Sequence, residues 1–316
     1  MKNTVIREHP KILLTIDGSE QSLITVRYIS RVFSKQAQIV LFHVMGEVPE
    51  VFRDVDADPF TDKEKYPLSI WKVHQEEIVS EFMTKAREIL VDSGLAQDAV
   101  AIKAKTITAG IARDIINESH QDYSALVIGR TGVSKIEEIT MGSVAAKLVD
   151  GVSHIPIIIV GEKPESNKIL IAFDGSKGAV KAVMCASTLL YQAVCEIMLC
   201  HVIRPLSIQQ LSTKELFTQK HEKDWIQVNQ RKIVPAIMEA KKRLKDAGFS
   251  EDHISSEILT YAQSRAAAIA KAARTGYYDT VVLGRRGFST VETFQIGRVS
   301  RKILQFAYQP ALWIVN

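Results

Sequence analysis

Short, nearly unbroken apolar runs alternate along this chain with longer stretches in which apolar residues recur at helical spacing. Residues 11–16 (Lys-Ile-Leu-Leu-Thr-Ile) form the first run, which suits a buried strand. It stops at Asp17-Gly18-Ser19, where Ser19 can cap a helix reaching about residue 34. A second strand is expected over 38–44. Residues 47–64 are acidic and contain proline, so they read as loop. Ile70, Val73, Ile78, Phe82, Ala86 and Leu90 follow at steps of three to five, which predicts a helix over about 66–92. Asp92-Ser93-Gly94 ends it, with the glycine in a C-cap position. A third strand is expected at 100–107, a helix from Gly110 to about 119, a fourth strand at 125–128, a helix at about 143–150 and a fifth strand at 156–160.

The same pattern then returns. Lys11-Ile-Leu-Leu-Thr-Ile-Asp-Gly-Ser19 reappears as Lys168-Ile-Leu-Ile-Ala-Phe-Asp-Gly-Ser176, and Leu126-Val-Ile-Gly-Arg-Thr-Gly132 as Val281-Val-Leu-Gly-Arg-Arg-Gly287. Trp71, Asp92-Ser-Gly94 and Pro156 recur as Trp225, Asp246-Ala-Gly248 and Pro310, in order and at offsets of 154–157 residues. That period is a whole domain, not a solenoid repeat. The expected domains are 9–161 and 168–316, with the polar segment 161–167 as linker. Alternating strands and helices with apolar strands imply an α/β fold: two tandem doubly wound domains, each a parallel sheet with helices on both faces. Ligands in such sheets bind beyond the carboxyl ends of the strands, where the strand order reverses.

The stretch with the most chemistry runs from Leu126 to Val144. A strand leads into Gly129, then Gly132, then nine residues, then Gly142-Ser143 at a helix start. Glycines let backbone N–H groups approach phosphate oxygens, and a helix N-terminus favours negative charge. The plainer reading, a strand-to-helix turn that needs glycine for its shape, stands beside it. If strands 1 and 4 are neighbours, Asp17 faces this loop across the crevice, a carboxylate opposite a phosphate cradle. That arrangement suits a nucleotide.

Composition narrows the field. The 316 residues carry 40 basic and 36 acidic side chains, net +4, and 7% aromatics. This is neither the basic footprint nor the stacking platform of a nucleic-acid binder. Cys185, Cys195 and Cys200 form no Cys-x-x-Cys pair, which points to buried thiols in a reducing compartment. No apolar run approaches the roughly 18 residues of a membrane span, the N-terminus lacks the apolar run of a signal peptide, and a cytoplasmic location is expected. The histidines lack metal-ligand spacing. His43 and His201, at equivalent ends of strand 2, read as structural, because no nucleophile stands at a partner position. Trp71 and Trp225 read as packing or interface residues. Glu137 and Glu138, in the loop insert, are the candidates for magnesium beside phosphates, against the ordinary reading of exposed loop glutamates. No Gly-Lys-Ser or Gly-Lys-Thr lysine and no evident water-activating base are present, so nucleotide turnover is expected to be slow or absent.

The strand-Asp-Gly-Ser opening, the His-Val end of strand 2 and the Gly-x2-Gly-x9-Gly-Ser frame resemble the universal stress protein family, twice over and across nearly the whole chain. The resemblance implies the ATP-binding branch, with five parallel strands in the order 3-2-1-4-5. It also implies pairing of domains through strand 5, here between the two halves, with a homodimer of chains and an unidentified protein partner as further expectations. By position, Asp17 would bind adenine or ribose and Val44 would line the adenine pocket. Ile128, Gly129 and Arg130 would sit at ribose and phosphate level, and Gly132, Gly142, Ser143 and Val144 would hold the phosphates. The second copy offers Asp174, Val202, Gly284, Gly287 and Gly297, but Arg298 replaces the serine. Arg298 and Arg286 could add charge to a phosphate site, or the second pocket could have lost ATP and kept the scaffold. The latter is expected, with ATP or another adenine nucleotide, possibly with magnesium, held mainly by the first copy. The competing expectations are a slow ATPase and a nucleotide-free interaction scaffold.

Overall fold

The computed structural model describes residues 9–46, 66–132, 141–190, 195–206, 219–288, 296–306 and 309–316. Domain 1 contains strands β1 (Lys11–Thr15), β2 (Gln38–Met45), β3 (Val100–Thr106), β4 (Ala125–Gly129) and β5 (Ile157–Val160). Its helices are α1 (Glu20–Val32), α2 (Tyr66–Asp92), α3 (Ile111–Ser119) and α4 (Ser143–Gly151). Domain 2 repeats the order with β6 (Lys168–Ala172), α5 (Lys177–Leu189), β7 (Glu196–Val202), α6 (Gln219–Asp246) and β8 (Ile254–Leu259). It ends with α7 (Arg265–Thr275), β9 (Thr280–Gly284), α8 (Arg298–Phe306) and β10 (Ala311–Val315).

The ten strands form one sheet in the order β3-β2-β1-β4-β5-β10-β9-β6-β7-β8. Within each domain neighbouring strands run parallel, and the order is 3-2-1-4-5. The two sheets are joined by one antiparallel pair, β5 with β10, registered at Ile158 and Trp313. The central strands are apolar at every position because helices cover both faces; Ile157–Val160 and Ala311–Val315 are wholly buried. The expected strand at 100–107 is also present, but its middle is exposed, so Ala-Ile-Lys-Ala-Lys marks a sheet edge. Leu13, Phe42, Val44, Leu126 and Ile128 point to the layer that contains α3 and α4. Ile12, Leu14, Leu41 and Val127 point to the opposite layer, against α1 and α2. This is the period-two alternation of a strand buried on both faces.

The domain junction is apolar with a few polar bonds that are fully satisfied. Trp313 is buried and donates its indole N–H to the Tyr28 hydroxyl at 2.8 Å, and that hydroxyl also meets Thr280 Oγ1 at 2.9 Å. Phe33 packs edge-on against Trp313 with ring centres 5.4 Å apart. Two buried arginines cross the junction in opposite directions. Arg130, 1% exposed, donates to the Leu304 carbonyl in the last turn of α8. Arg285, its counterpart, donates to the Val149 and Val152 carbonyls at the end of α4, at 2.6 and 2.7 Å. Burial makes each guanidinium costly to keep charged. The unsatisfied carbonyls and negative dipole at a helix C-terminus offset that cost.

Replacing either arginine by alanine strands buried carbonyls. Arg130→Ala and Arg285→Ala should each lower unfolding stability by about 2–3 kcal/mol, since a hydrogen bond to a charged group contributes roughly that much. Urea titration of the full chain checks this, and losses near zero would contradict the capping role.

Candidate functional site

The site begins where β1 stops. Gly18 takes a positive φ of 80°, and a Cβ there would lie 2.9 Å from the Phe82 ring. The turn it makes lets Ser19 cap α1 by accepting the Ser22 N–H at 3.2 Å. It also fixes Asp17. The Ser19 N–H, Ser19 hydroxyl and Ser22 hydroxyl all donate to Asp17 Oδ1, at 3.0, 2.5 and 2.5 Å. One carboxylate oxygen is thereby saturated, and Oδ2 is turned toward the glycine loop. Behind it, the His43 ring is bonded through Nδ1 to the Ile16 carbonyl at 2.7 Å and packs edge-on against Phe82. The histidine supports the turn, as expected of a structural residue.

Because β1 and β4 are hydrogen-bonded neighbours, Asp17 and the loop do face each other. A Cβ on Gly132 would stand 2.7 Å from Asp17 Oδ2, so only glycine leaves the carboxylate in place. The Gly142 N–H closes the loop on the Arg130 carbonyl at 2.9 Å. Gly142 is the N-cap of α4 and supplies no side-chain acceptor. The N–H groups of Ser143, Val144 and Ala145 therefore lack intrahelical partners. Val44 and Ile128 are buried beneath it, in the layer of α3 and α4.

Arg130 needs a correction. Its side chain does not stand at ribose or phosphate level; it leaves the crevice and caps the other domain's α8. Water and phosphate are both replaced there by carbonyl oxygens. Only its backbone, which holds Gly142, remains beside the loop. Glu137 and Glu138 lie outside the described residues. Among those described, no group of three or more His, Cys, Asp or Glu side chains could hold a metal ion, and no helix is long and apolar enough to cross a membrane. His120 and His154, distant in sequence, stack face to face at 4.0 Å, while His154 Nε2 meets the Ser119 carbonyl.

Comparison with known proteins agrees with the repeated α/β fold. The universal stress protein family matches the chain twice, at residues 9–161 and 165–314. The chain belongs to that family. Universal stress protein YxiE of Bacillus subtilis is 28% identical over 154 residues, 46% of this chain and 97% of that protein. A universal stress protein of Archaeoglobus fulgidus superposes with a TM-score of 0.54 at 18% identity, covering 98% of this chain and 97% of the other. A universal stress protein solved in complex with cAMP is 21% identical, with a TM-score of 0.34, over 48% of this chain and 97% of its own.

This universal stress protein keeps the cradle in both halves. In domain 2 a Cβ on Gly287 would lie 2.8 Å from Asp174 Oδ2, and the Gly297 N–H donates to the Arg285 carbonyl at 2.8 Å. Val202 is buried like Val44, and His201 bonds the Phe173 carbonyl through Nδ1 at 2.8 Å. Gly284 lies against the backbone of Gly178, where in domain 1 Gly129 lies against the Gln21 side chain. Asp174 is held less firmly than Asp17: Oδ1 accepts from the Ser176 N–H at 2.9 Å, and Ala179 stands where Ser22 does. Arg298 is the exposed first residue of α8.

Two supporting residues were not singled out from the sequence. One is Ser22. The other is Asp114, which is buried and holds the turn that leads to α3. Asp114 accepts the Thr108 hydroxyl at 2.5 Å, the Thr108 and Ala109 N–H groups at 2.8 and 3.2 Å, and Lys105 Nζ at 3.4 Å. An acidic residue in a helix's first turn, close to a threonine and a glycine, was the available signal.

These donors, the Thr108 hydroxyl foremost, hold the Asp114 carboxyl well below the usual carboxylate range. A depressed folded pKa contributes stability above the unfolded value near 4 and loses it as pH falls further. Asp114→Asn should therefore be less stable than the native chain at pH 7, with the gap narrowing between about pH 4 and pH 2. Urea titrations at several pH values measure it; a pH-independent gap would refute the assignment.

Proposed function

We propose that domain 1 binds an adenine nucleotide, ATP foremost, and that the protein acts in the cytoplasm as a stress-response regulator with little or no nucleotide turnover. The observation that carries this reading is the meeting of Asp17 and Gly132, a half-engaged carboxylate 2.7 Å from where a side chain would begin. It is joined to a helix that starts without a cap. Asp17 Oδ2 accepts from a ribose hydroxyl or the adenine amino group, and Val44 and Ile128 make the apolar floor. The backbone N–H groups of Thr131 and Gly132, and those of Ser143 and Val144 at the start of α4, take the phosphates, while Gly129 and Gly142 let the loop approach them. The donor set suits oxyanions rather than a bare cation, so magnesium would enter as the counter-ion of ATP. Nucleotide occupancy then favours one loop shape over another, and a protein partner reads that shape. Domain 2 keeps the scaffold as a weaker nucleotide site.

Calorimetric titration with Mg-ATP tests the proposal. The native chain should bind, and Gly132→Asp, which sets a second carboxylate against Asp17, should lose at least tenfold in affinity while circular dichroism shows the chain still folded. Hydrolysis should stay below about 1 per second, the low end of ordinary enzyme rates. No binding by the native chain would favour an interaction scaffold, and faster hydrolysis an enzyme.

A further inference from the structure

Domain 2 differs from domain 1 most sharply in charge at the crevice mouth. Arg204 stands two residues beyond Val202, where Gly46 follows Val44. Arg265 is the first residue of α7, where Ile111 begins α3. Arg298 is the first residue of α8, where Ser143 begins α4. The strand order places the carboxyl ends of β8, β7, β6 and β9 side by side, so these positions converge around Asp174 at the end of β6. Three neutral residues of domain 1 have thus become three arginines around one carboxylate. Arg265 holds its proton less firmly than a free arginine, first through partial burial and then through Arg204 and Arg298, while Asp174 pulls the other way. His201 is kept toward its neutral form, chiefly by burial, and adds no charge.

These guanidiniums have little of their own to bind. Among the described residues none of the three makes a hydrogen bond or a close ion pair, and Arg204 Nε is sealed from solvent without a partner. Like charges gathered in one crevice repel, and Asp174, the carboxylate beside them among the described residues, is already engaged on one oxygen by Ser176. Guanidinium groups match phosphate oxygens two at a time. The backbone cradle beside them has the same dimensions as in domain 1. The charge sits at a strand end and at two helix starts, and so is spread along the crevice instead of being confined to its phosphate end.

We propose that domain 2 is a second, chemically distinct site that binds a phosphate chain of two or more linked groups through Arg204, Arg265 and Arg298, with little regard to any base attached. The chain is inorganic polyphosphate or the 5′ tail of a nucleoside polyphosphate. This goes beyond nucleotide binding in domain 1 and does not depend on it.

The test uses the full chain carrying Gly132→Asp, so that domain 1 is closed. It is titrated by calorimetry with inorganic tripolyphosphate, ATP, CTP and AMP. One tripolyphosphate per chain is expected, with ATP and CTP within about threefold of each other and AMP at least tenfold weaker. Tripolyphosphate equal to the nucleotides identifies an inorganic ligand; nucleotides moderately tighter, whatever the base, identify a nucleoside polyphosphate. Arg265→Ile and Arg298→Ser restore the domain 1 residues at exposed positions, and each should weaken tripolyphosphate about tenfold, the worth of a hydrogen bond to a charged group. Asp174→Asn removes the opposing charge and should tighten it. No tripolyphosphate binding, binding indifferent to Arg265 and Arg298, or a strong preference for ATP over CTP would overturn the proposal. Failure of the domain 1 reading would instead appear as identical ATP binding by the native chain and by Gly132→Asp.

Discussion

A guanidinium removed from water must be given oxygen, and much of this molecule is arranged around two such demands. Arg130 and Arg285 leave their glycine loops, cross the domain junction and end on the last carbonyls of the opposite domain's helix. Each also accepts, through its own carbonyl, the N–H of the glycine that precedes the helix after its loop. One residue per domain therefore shapes its own cradle through the backbone and secures the neighbouring domain through the side chain. The antiparallel β5–β10 pair and the Tyr28–Trp313–Thr280 cluster supply the apolar mass of the junction. The arginines tie that junction to the crevices.

This division of labour explains how the two halves could diverge. The features that make a cradle are backbone features: the glycine beside the aspartate, the closing N–H, and the uncapped helix start. They are preserved with near-identical spacing. What surrounds the cradle is carried by side chains that bear little of the fold. Gly46, Ile111 and Ser143 give way to Arg204, Arg265 and Arg298 without disturbing strand register or helix start. Helix-start and strand-end positions outside the apolar core tolerate such exchange because the core does not pack on them.

Much of this was legible in the sequence, for identifiable reasons. Apolar runs of strand length separated by helical spacing specify a doubly wound α/β domain, and the doubled Asp-Gly-Ser and Gly-x2-Gly signatures specify two of them. Asp17 and Gly132 could be placed together once strands 1 and 4 were neighbours. The destination of Arg130 was not legible. An arginine between loop glycines reads as a phosphate ligand, and its acceptor, Leu304, lies 174 residues away in the other domain. Asp114 and Ser22 were missed because their roles depend on side-chain geometry within one turn. Arg204 and Arg265 were missed because each looks unremarkable in its own element; they become a cluster only when the strand order brings their ends together.

The central claim is that domain 1 holds an adenine nucleotide. Denaturing freshly purified protein, identifying any released nucleotide by mass and measuring its ratio to chain tests that claim most directly. The account predicts about one adenine nucleotide per chain. None released, even after incubation with ATP and magnesium, would contradict it.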